Sequence, residues 1–293
     1  MQTLVGNVVI EFEVLGDRAN PAVLLVHGLG AQLTAWDEAF CQRFIDAGYC
    51  VIRFDNRDVG LSSKVPFPAD LDIPSEVLRG LAGEPITSPY TLADMAADAV
   101  GVLDACNISR AHVLGVSMGG MIVQQMAIQA PSRVATLTSI MSTTGDLDVG
   151  YADPAVLAAL MASPPPGRDA AIANSVAVSE MIASPGLFDE VRARRVAALA
   201  YDRCFFPEGV GQQGLAIVAS GSRFEELGGV QVPTLVIHGD ADPLVHWSGG
   251  ERTAAAIPNA ELLLVPGMAH DLPELLWPRV VGAICDHVAR VAV

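Results

Sequence analysis

Ala111-His112-Val113-Leu114-Gly115-Val116-Ser117-Met118-Gly119-Gly120 is the stretch on which the reading of this chain turns. A short apolar run, Ala111 to Leu114, leads into the pentapeptide, and a helix-like stretch from Gly120 to Ala130 follows it. Gly115-Val116-Ser117-Met118-Gly119 therefore fits a strand-turn-helix elbow that presents Ser117 as a nucleophile. In such a turn, side chains two residues on either side of the serine would collide with neighbouring backbone, and glycines at 115 and 119 remove that collision. With 27 glycines in 293 residues the string carries little weight alone, so the reading depends on partners elsewhere in the chain.

The length allows one large α/β domain with an insertion or two small domains, and 51% hydrophobic content supports a substantial core. No apolar run approaches the roughly 20 residues of a membrane span, so no membrane partner is expected. Met1-Gln2-Thr3-Leu4 lacks the basic and apolar segments of an export signal. Five cysteines, an odd number with no C-x-x-C pair, suggest reduced thiols and a cytoplasmic location. A net charge of -16 argues against nucleic acid, because phosphate binding needs clustered Lys and Arg. There is no H-x-x-x-H pair, no Cys/His cluster and no acidic calcium loop to suggest a metal. Gly28-Leu29-Gly30 lacks the third glycine of a dinucleotide fingerprint, so no cofactor is expected.

Outward from the elbow, the opening residues alternate around Gly6-Asn7 as a β-hairpin, Thr3 to Ile10 and Glu11 to Leu15. Apolar runs at Ala22 to Val26, Cys50 to Phe54, Ala111 to Leu114, Leu137 to Met141, Thr234 to Ile237 and Glu261 to Val265 read as strands buried on both faces. Helical stretches lie between them, notably Leu92 to Cys106, opened by a capping-box-like Thr91 and Asp94, and Met118 to Ala130, ended by Pro131. The layout predicts an α/β fold with a mostly parallel central sheet flanked by helices. From about residue 145 to 226 the rhythm breaks into Pro164-Pro165-Pro166-Gly167 and Ala-rich helical stretches. The expected organisation is a core of residues 1–144 and 227–293 with a helical cap, 145–226, inserted over the carboxyl edge of the sheet, where open α/β sheets bind ligands.

A serine hydroxyl needs a base, and the base an orienting carboxylate. Asp242 follows the strand Thr234 to Ile237, and His270 follows the strand ending at Val265, so both are expected at the same sheet edge as Ser117. The order Ser, Asp, His is one known solution to this geometry. Asp240, in the same loop as Asp242, competes for the role of acid.

With these residues in place the chain resembles the α/β-hydrolase family over essentially its whole length. His27-Gly28-Leu29-Gly30 is similar to the family's oxyanion loop, and Asp55-Asn56-Arg57-Asp58-Val59-Gly60-Leu61-Ser62 to its D-x-R-G-x-G-x-S turn, with Asp58 in place of the usual glycine. The resemblance implies Ser117, Asp242 and His270 as the catalytic triad, favours Asp242 over Asp240, and implies the Leu29 and Met118 N–H groups as the oxyanion hole. It extends to microbial carboxylesterases and to polyketide-tailoring methylesterases through Arg53-Phe54-Asp55-Asn56-Arg57-Asp58 and Val116-Ser117-Met118-Gly119. A serine rather than an aspartate at the elbow argues against epoxide opening and halide displacement, and leucine rather than proline at 29 against peracid formation. The implied activity is cleavage of a small-molecule carboxylic ester, with a hydrophobic substrate suggested by the apolar cap. Alternatives are a lactonase, thioesterase or C–C bond hydrolase on the same triad, or a non-catalytic ligand receptor. Asp271, adjoining His270, is expected at the surface or at a helix cap, and Trp36, Trp247, Phe205 and Phe206 are expected to be packing residues.

Overall fold

A computed structural model describes residues 1–292. Eight strands, β1 (Gln2–Val5), β2 (Val8–Leu15), β3 (Ala22–Val26), β4 (Cys50–Phe54), β5 (Ala111–Val116), β6 (Val134–Ile140), β7 (Thr234–Gly239) and β8 (Glu261–Val265), form one sheet in the order β1-β2-β4-β3-β5-β6-β7-β8. β1 pairs antiparallel with β2 and β2 with β4, and every later pairing is parallel. Every residue of β3 to β7 is buried, as unbroken apolar runs require when helices cover both faces.

The two faces are read from alternate residues. Leu24, Val26, Ile52, Phe54 and Val113 enter one apolar layer, while Val23, Leu25, Val51, Leu114 and Val116 enter the other. The first layer is closed by helices α3 (Leu92–Ala105) and α4 (Met118–Gln129), the second by α1 (Glu38–Asp46) and α11 (Trp277–Val288). The Thr91 N–H donates to Asp94 Oδ2 at 2.8 Å, which caps the start of α3.

Between α1 and α3 lies α2 (Ile73–Leu81), absent from the sequence reading. It rests on the inserted segment, close enough that a Cβ on Gly80 would stand 2.8 Å from Val218. That segment forms α5 (Pro154–Met161), α6 (Arg168–Met181), α7 (Glu190–Arg203) and α8 (Glu208–Ser220), without a strand. Helix α9 (Phe224–Leu227) straddles the expected boundary at 226, and its Leu227 is buried in the first core layer; α10 (Ser248–Ala256) follows β7. The two ends of the insertion are tied together by buried Arg223, whose N–H donates to Thr144 O at 2.9 Å and whose guanidinium donates to Thr143 O at 3.0 Å and Gly221 O at 3.2 Å.

Strand register fixes where the loops emerge. Val26 pairs with Gly115, Val116 with Ile140, and Gly239 with Val265, so the parallel strands end at one edge. The chain runs from β3 outward to β4 and returns to β5 on the other side of β3, which opens a crevice beyond the carboxyl ends of β3 and β5. His27 to Gly30 leave β3 there, and Ser117 leaves β5 there.

Candidate active site

Ser117 sits between the last residue of β5 and the first of α4 with φ +56° and ψ −124°, outside the regions open to ordinary L-residues. The surroundings hold it there: its N–H donates to Ile140 O at 2.9 Å, and Ser142 Oγ donates to its carbonyl at 2.8 Å. The flanking glycines have a steric reason. A Cβ on Gly115 would lie 2.0 Å from Gly119 O, and one on Gly119 would lie 2.1 Å from Val26 O. Gly28 is constrained less severely, since its Cβ would approach Ser117 Cβ to 3.0 Å.

The three residues that the sequence assigned to separate loops meet. His270 Nε2 lies 3.0 Å from Ser117 Oγ, and His270 Nδ1 lies 2.8 Å from Asp242 Oδ2. A carboxylate only accepts, so the imidazole proton belongs on Nδ1 and Nε2 is left to accept a hydrogen bond from the Ser117 hydroxyl. Asp242 Oδ1 accepts from the N–H groups of Leu244 at 2.9 Å and Val245 at 2.8 Å. Burial alone would raise the Asp242 pKa, but His270, the His238 side chain and the Val245 N–H outweigh it and hold the carboxyl well below the usual carboxylate range. Asp240 does not reach the imidazole; its Oδ1 accepts from Gly267 N–H at 2.7 Å and so braces the loop that carries His270.

His238 is fully buried behind Asp242, with Nε2 2.8 Å from Val245 O and 3.4 Å from Asp242 Oδ2. His27 packs edge-on against Trp36 at 4.9 Å, and its Nδ1 accepts from the Gly28 N–H at 2.8 Å. Burial, then the charges of Arg192 and His270, lower its pKa to about 4. Among the described residues no acceptor takes the N–H of Leu29 or of Met118. Met118 opens α4, so the positive end of the helix dipole adjoins Ser117.

Asp271 occupies neither a helix cap nor a free surface. Its Oδ1 accepts from Ser184 N–H at 3.0 Å and from the Ser184 hydroxyl, while Ser184 Oγ accepts from Ala269 N–H at 2.9 Å. The His270 N–H itself donates to Ile182 O at 2.9 Å. The loop bearing the imidazole is thus fastened to the inserted segment.

The alpha/beta hydrolase fold family matches residues 21–175. The chain belongs to that family. Two relatives named rhodomycin D methylesterase, from Streptomyces peucetius and from Streptomyces sp. (strain C5), are 28% and 29% identical to this hydrolase, with 96% of this chain and 95% of each relative covered. A solved meta-cleavage product hydrolase from Pseudomonas fluorescens IP01 shares the fold with a TM-score of 0.76 at 21% identity, covering 99% of this chain and 97% of that one.

Where this α/β hydrolase departs from its family's turn, the structure supplies the compensation. Asp58 stands at φ +69°, a conformation that glycine adopts at no steric cost. Its buried carboxyl accepts from Val65 N–H at 2.6 Å and from the Tyr90 hydroxyl at 2.5 Å. Burial raises the Asp58 pKa, and those hydrogen bonds with nearby Arg57 work against the rise. Gly60, at φ +51°, cannot carry a side chain, since a Cβ would fall 2.1 Å from Asp55 Oδ2. Asp55 is wholly buried and accepts from Leu33 N–H at 2.7 Å, Leu61 N–H at 2.8 Å and Arg203 of α7 at 2.6 Å. Of the four aromatic residues expected to pack, Trp36 does so, whereas Phe205 is 45% exposed.

Proposed function

We propose that this hydrolase cleaves a carboxylic ester by nucleophilic catalysis, with Ser117 as nucleophile, His270 as base and Asp242 as the carboxylate that orients it. The observation that carries the reading is the continuous chain of contacts from Asp242 Oδ2 through the imidazole to Ser117 Oγ, at 2.8 and 3.0 Å. In the reaction His270 Nε2 takes the serine proton as Oγ attacks the ester carbonyl, and the imidazolium returns that proton to the departing alcohol. Water then attacks the acyl-enzyme with His270 again as base, and the acid leaves. The tetrahedral intermediates place negative charge on the former carbonyl oxygen. Unengaged N–H groups at Leu29 and Met118 suit that charge, and each such donor contributes typically a few kcal/mol.

Residues 145–226 form the cap in this reading. The turn between α6 and α7 carries the contacts to the His270 loop, through Ile182 and Ser184, which supports a position over the carboxyl edge of the sheet. The named activity of the two Streptomyces relatives favours a methyl or other small alkyl ester, and the apolar, Ala-rich makeup of residues 145–226 favours a hydrophobic acyl or alcohol group. Purified protein tested on matched esters, lactones, thioesters and C–C substrates should turn over the esters fastest, and Ser117→Ala should abolish that turnover while circular dichroism shows unchanged folded content. Full activity in the alanine variant would remove Ser117 as nucleophile, and preference for another substrate class would reassign the reaction.

A further inference from the structure

The loop His27-Gly28-Leu29-Gly30 follows a strand but has no ladder of its own to fix it, so each of its peptide planes needs a partner. The partners are identifiable. His27 O accepts from Asn56 Nδ2 at 3.1 Å, and Gly28 O accepts from Ala31 N–H at 3.3 Å. Because the N–H of Leu29 lies antiparallel to the Gly28 carbonyl in the same trans peptide, that bond turns the Leu29 N–H away from Ala31. The next peptide is held from the insertion. The Gly30 N–H donates to Gln213 Oε1 at 2.8 Å, and Gln213 Nε2 donates to Arg57 O at 2.7 Å.

Gln213 lies on α8 and is wholly buried. Its amide orientation is dictated on both sides, with the oxygen on an N–H and the nitrogen on a carbonyl. Val210, one turn earlier on the same face, also touches the loop: a Cβ on Gly30, which has φ +70°, would stand 2.8 Å from Val210 Cγ2. A third contact of this face goes to the 55–62 turn, since a Cβ on Gly209 would lie 2.2 Å from Asp58 O. Neighbouring Gln212, its nitrogen turned to Asp58, donates to Oδ2 at 3.1 Å. One face of one helix therefore bridges the oxyanion loop and the turn that carries Asp58.

We infer that Gln213 is a positioning residue through which the cap sets the Leu29–Gly30 peptide, and hence the oxyanion donor at Leu29, for catalysis. The inference rests on the ester-hydrolase reading above. Gln213 touches no reacting atom; it acts by holding the backbone whose N–H meets the developing charge. Since that charge develops only in the transition state, a misplaced donor lowers kcat and leaves ground-state binding nearly unchanged.

The test compares two adjacent side chains of α8 on an activated ester. Gln213→Met, of similar volume but without donor or acceptor, should lower kcat and kcat/KM together by roughly 10- to 100-fold with KM within about threefold. Gln212→Met removes the donor to Asp58 and loosens the same helix without touching the loop, so its kcat should stay within about twofold. Gln213→Glu keeps an acceptor for the Gly30 N–H, and its neutral form can also donate to Arg57 O. Its activity should exceed that of Gln213→Met, and its pH profile should be displaced toward acid. Retention of full kcat by Gln213→Met, equal losses in the two methionine variants, or a Gln213→Glu variant no better than Gln213→Met would each overturn the inference. An active Ser117→Ala variant would instead remove the esterase reading on which it rests.

Discussion

Replacing Asp242 by asparagine should leave the fold in place and still silence the site, because the surrounding groups dictate how the new amide must lie. Oδ1 of the native carboxylate accepts two backbone N–H groups, from Leu244 and Val245. An amide nitrogen there would face two donors, so the asparagine oxygen takes that place and its NH2 falls where Oδ2 met His270 Nδ1. Nδ1 must then accept, the imidazole proton moves to Nε2, and Nε2 can no longer receive the proton of Ser117 Oγ. A tautomer error of this kind costs roughly 10⁴-fold in kcat, or about 5.5 kcal/mol of transition-state stabilisation. Asp240→Asn makes the contrasting case: its only backbone contact here is as acceptor of the Gly267 N–H, which an amide oxygen can keep, so kcat should change less than about threefold. Steady-state turnover of a p-nitrophenyl ester at equal folded content, judged by circular dichroism and thermal midpoint, measures both. Less than a tenfold loss in Asp242→Asn, or a larger loss in Asp240→Asn, would refute the orientation argument.

Two further outcomes concern stability. Arg203→Met strips the guanidinium from wholly buried Asp55 but leaves the Leu33 and Leu61 N–H bonds, so the cost should be about 2–3 kcal/mol in urea unfolding, and a value below about 1 kcal/mol would show that those two N–H groups suffice. Two buried histidines should make the fold sensitive to acid: burial, then positive neighbours, lowers His27 and His112 to about 4, so both stay neutral when folded while the unfolded chain takes up protons below about 6.5. The contribution of these histidines to stability is therefore lost as pH falls from about 6.5 to 4, by at most about 2 kcal/mol at pH 5 for His27 and by less for the less deeply enclosed His112; protonation of Asp242 in the unfolded chain adds to the loss below about pH 4, while buried Asp58, Asp98 and Asp271, whose pKa values are raised, work against it. His112→Gln, which keeps a partner for Thr136 Oγ1, should show a shallower decline between pH 7.5 and 5 by chemical denaturation; an unchanged slope would exclude His112 as a contributor.

What could be read from the sequence follows from how local each signal is. The strands β3, β4 and β8 match their apolar runs residue for residue, but only β3 and β4 are buried on both faces as expected; β8 is the edge of the sheet, and its Glu261 and Leu262 are exposed. β6 begins three residues before the run at Leu137, since Val134, Ala135 and Thr136 are small or mixed in polarity, and it ends before Met141, which takes φ +43°. Helix α2 escaped notice because Pro74, Glu76 and Arg79 interrupt its apolar residues and only Val77 and Gly80 are buried. Ser117, Asp242 and His270 were legible as residues that each follow a strand, a property visible one loop at a time. Gln213, Arg203 and Ser184 carry no such mark. Each meets its partner across a separation of 183, 148 or 87 residues, and each belongs to a helix or turn whose sequence gives no register against the core. Asp58 was legible as a departure from the family turn, but its compensation by Tyr90 and Gln212 was not.

The fastening of the His270 loop to Ile182 and Ser184 bears on how this protein can be re-engineered. On the proposed reading the helices of residues 145–226 cover the ester site, so exchanging them between relatives is a natural way to seek a change of substrate. Yet that segment supplies the carbonyl that receives the His270 N–H and the hydroxyl that joins Ala269 to Asp271. A chimera that brings in foreign helices would import new specificity and lose the brace on the imidazole in the same step. Grafts should therefore retain residues 182–184 from this chain, or carry the donor's own His loop together with its helices, so that the two remain a matched pair.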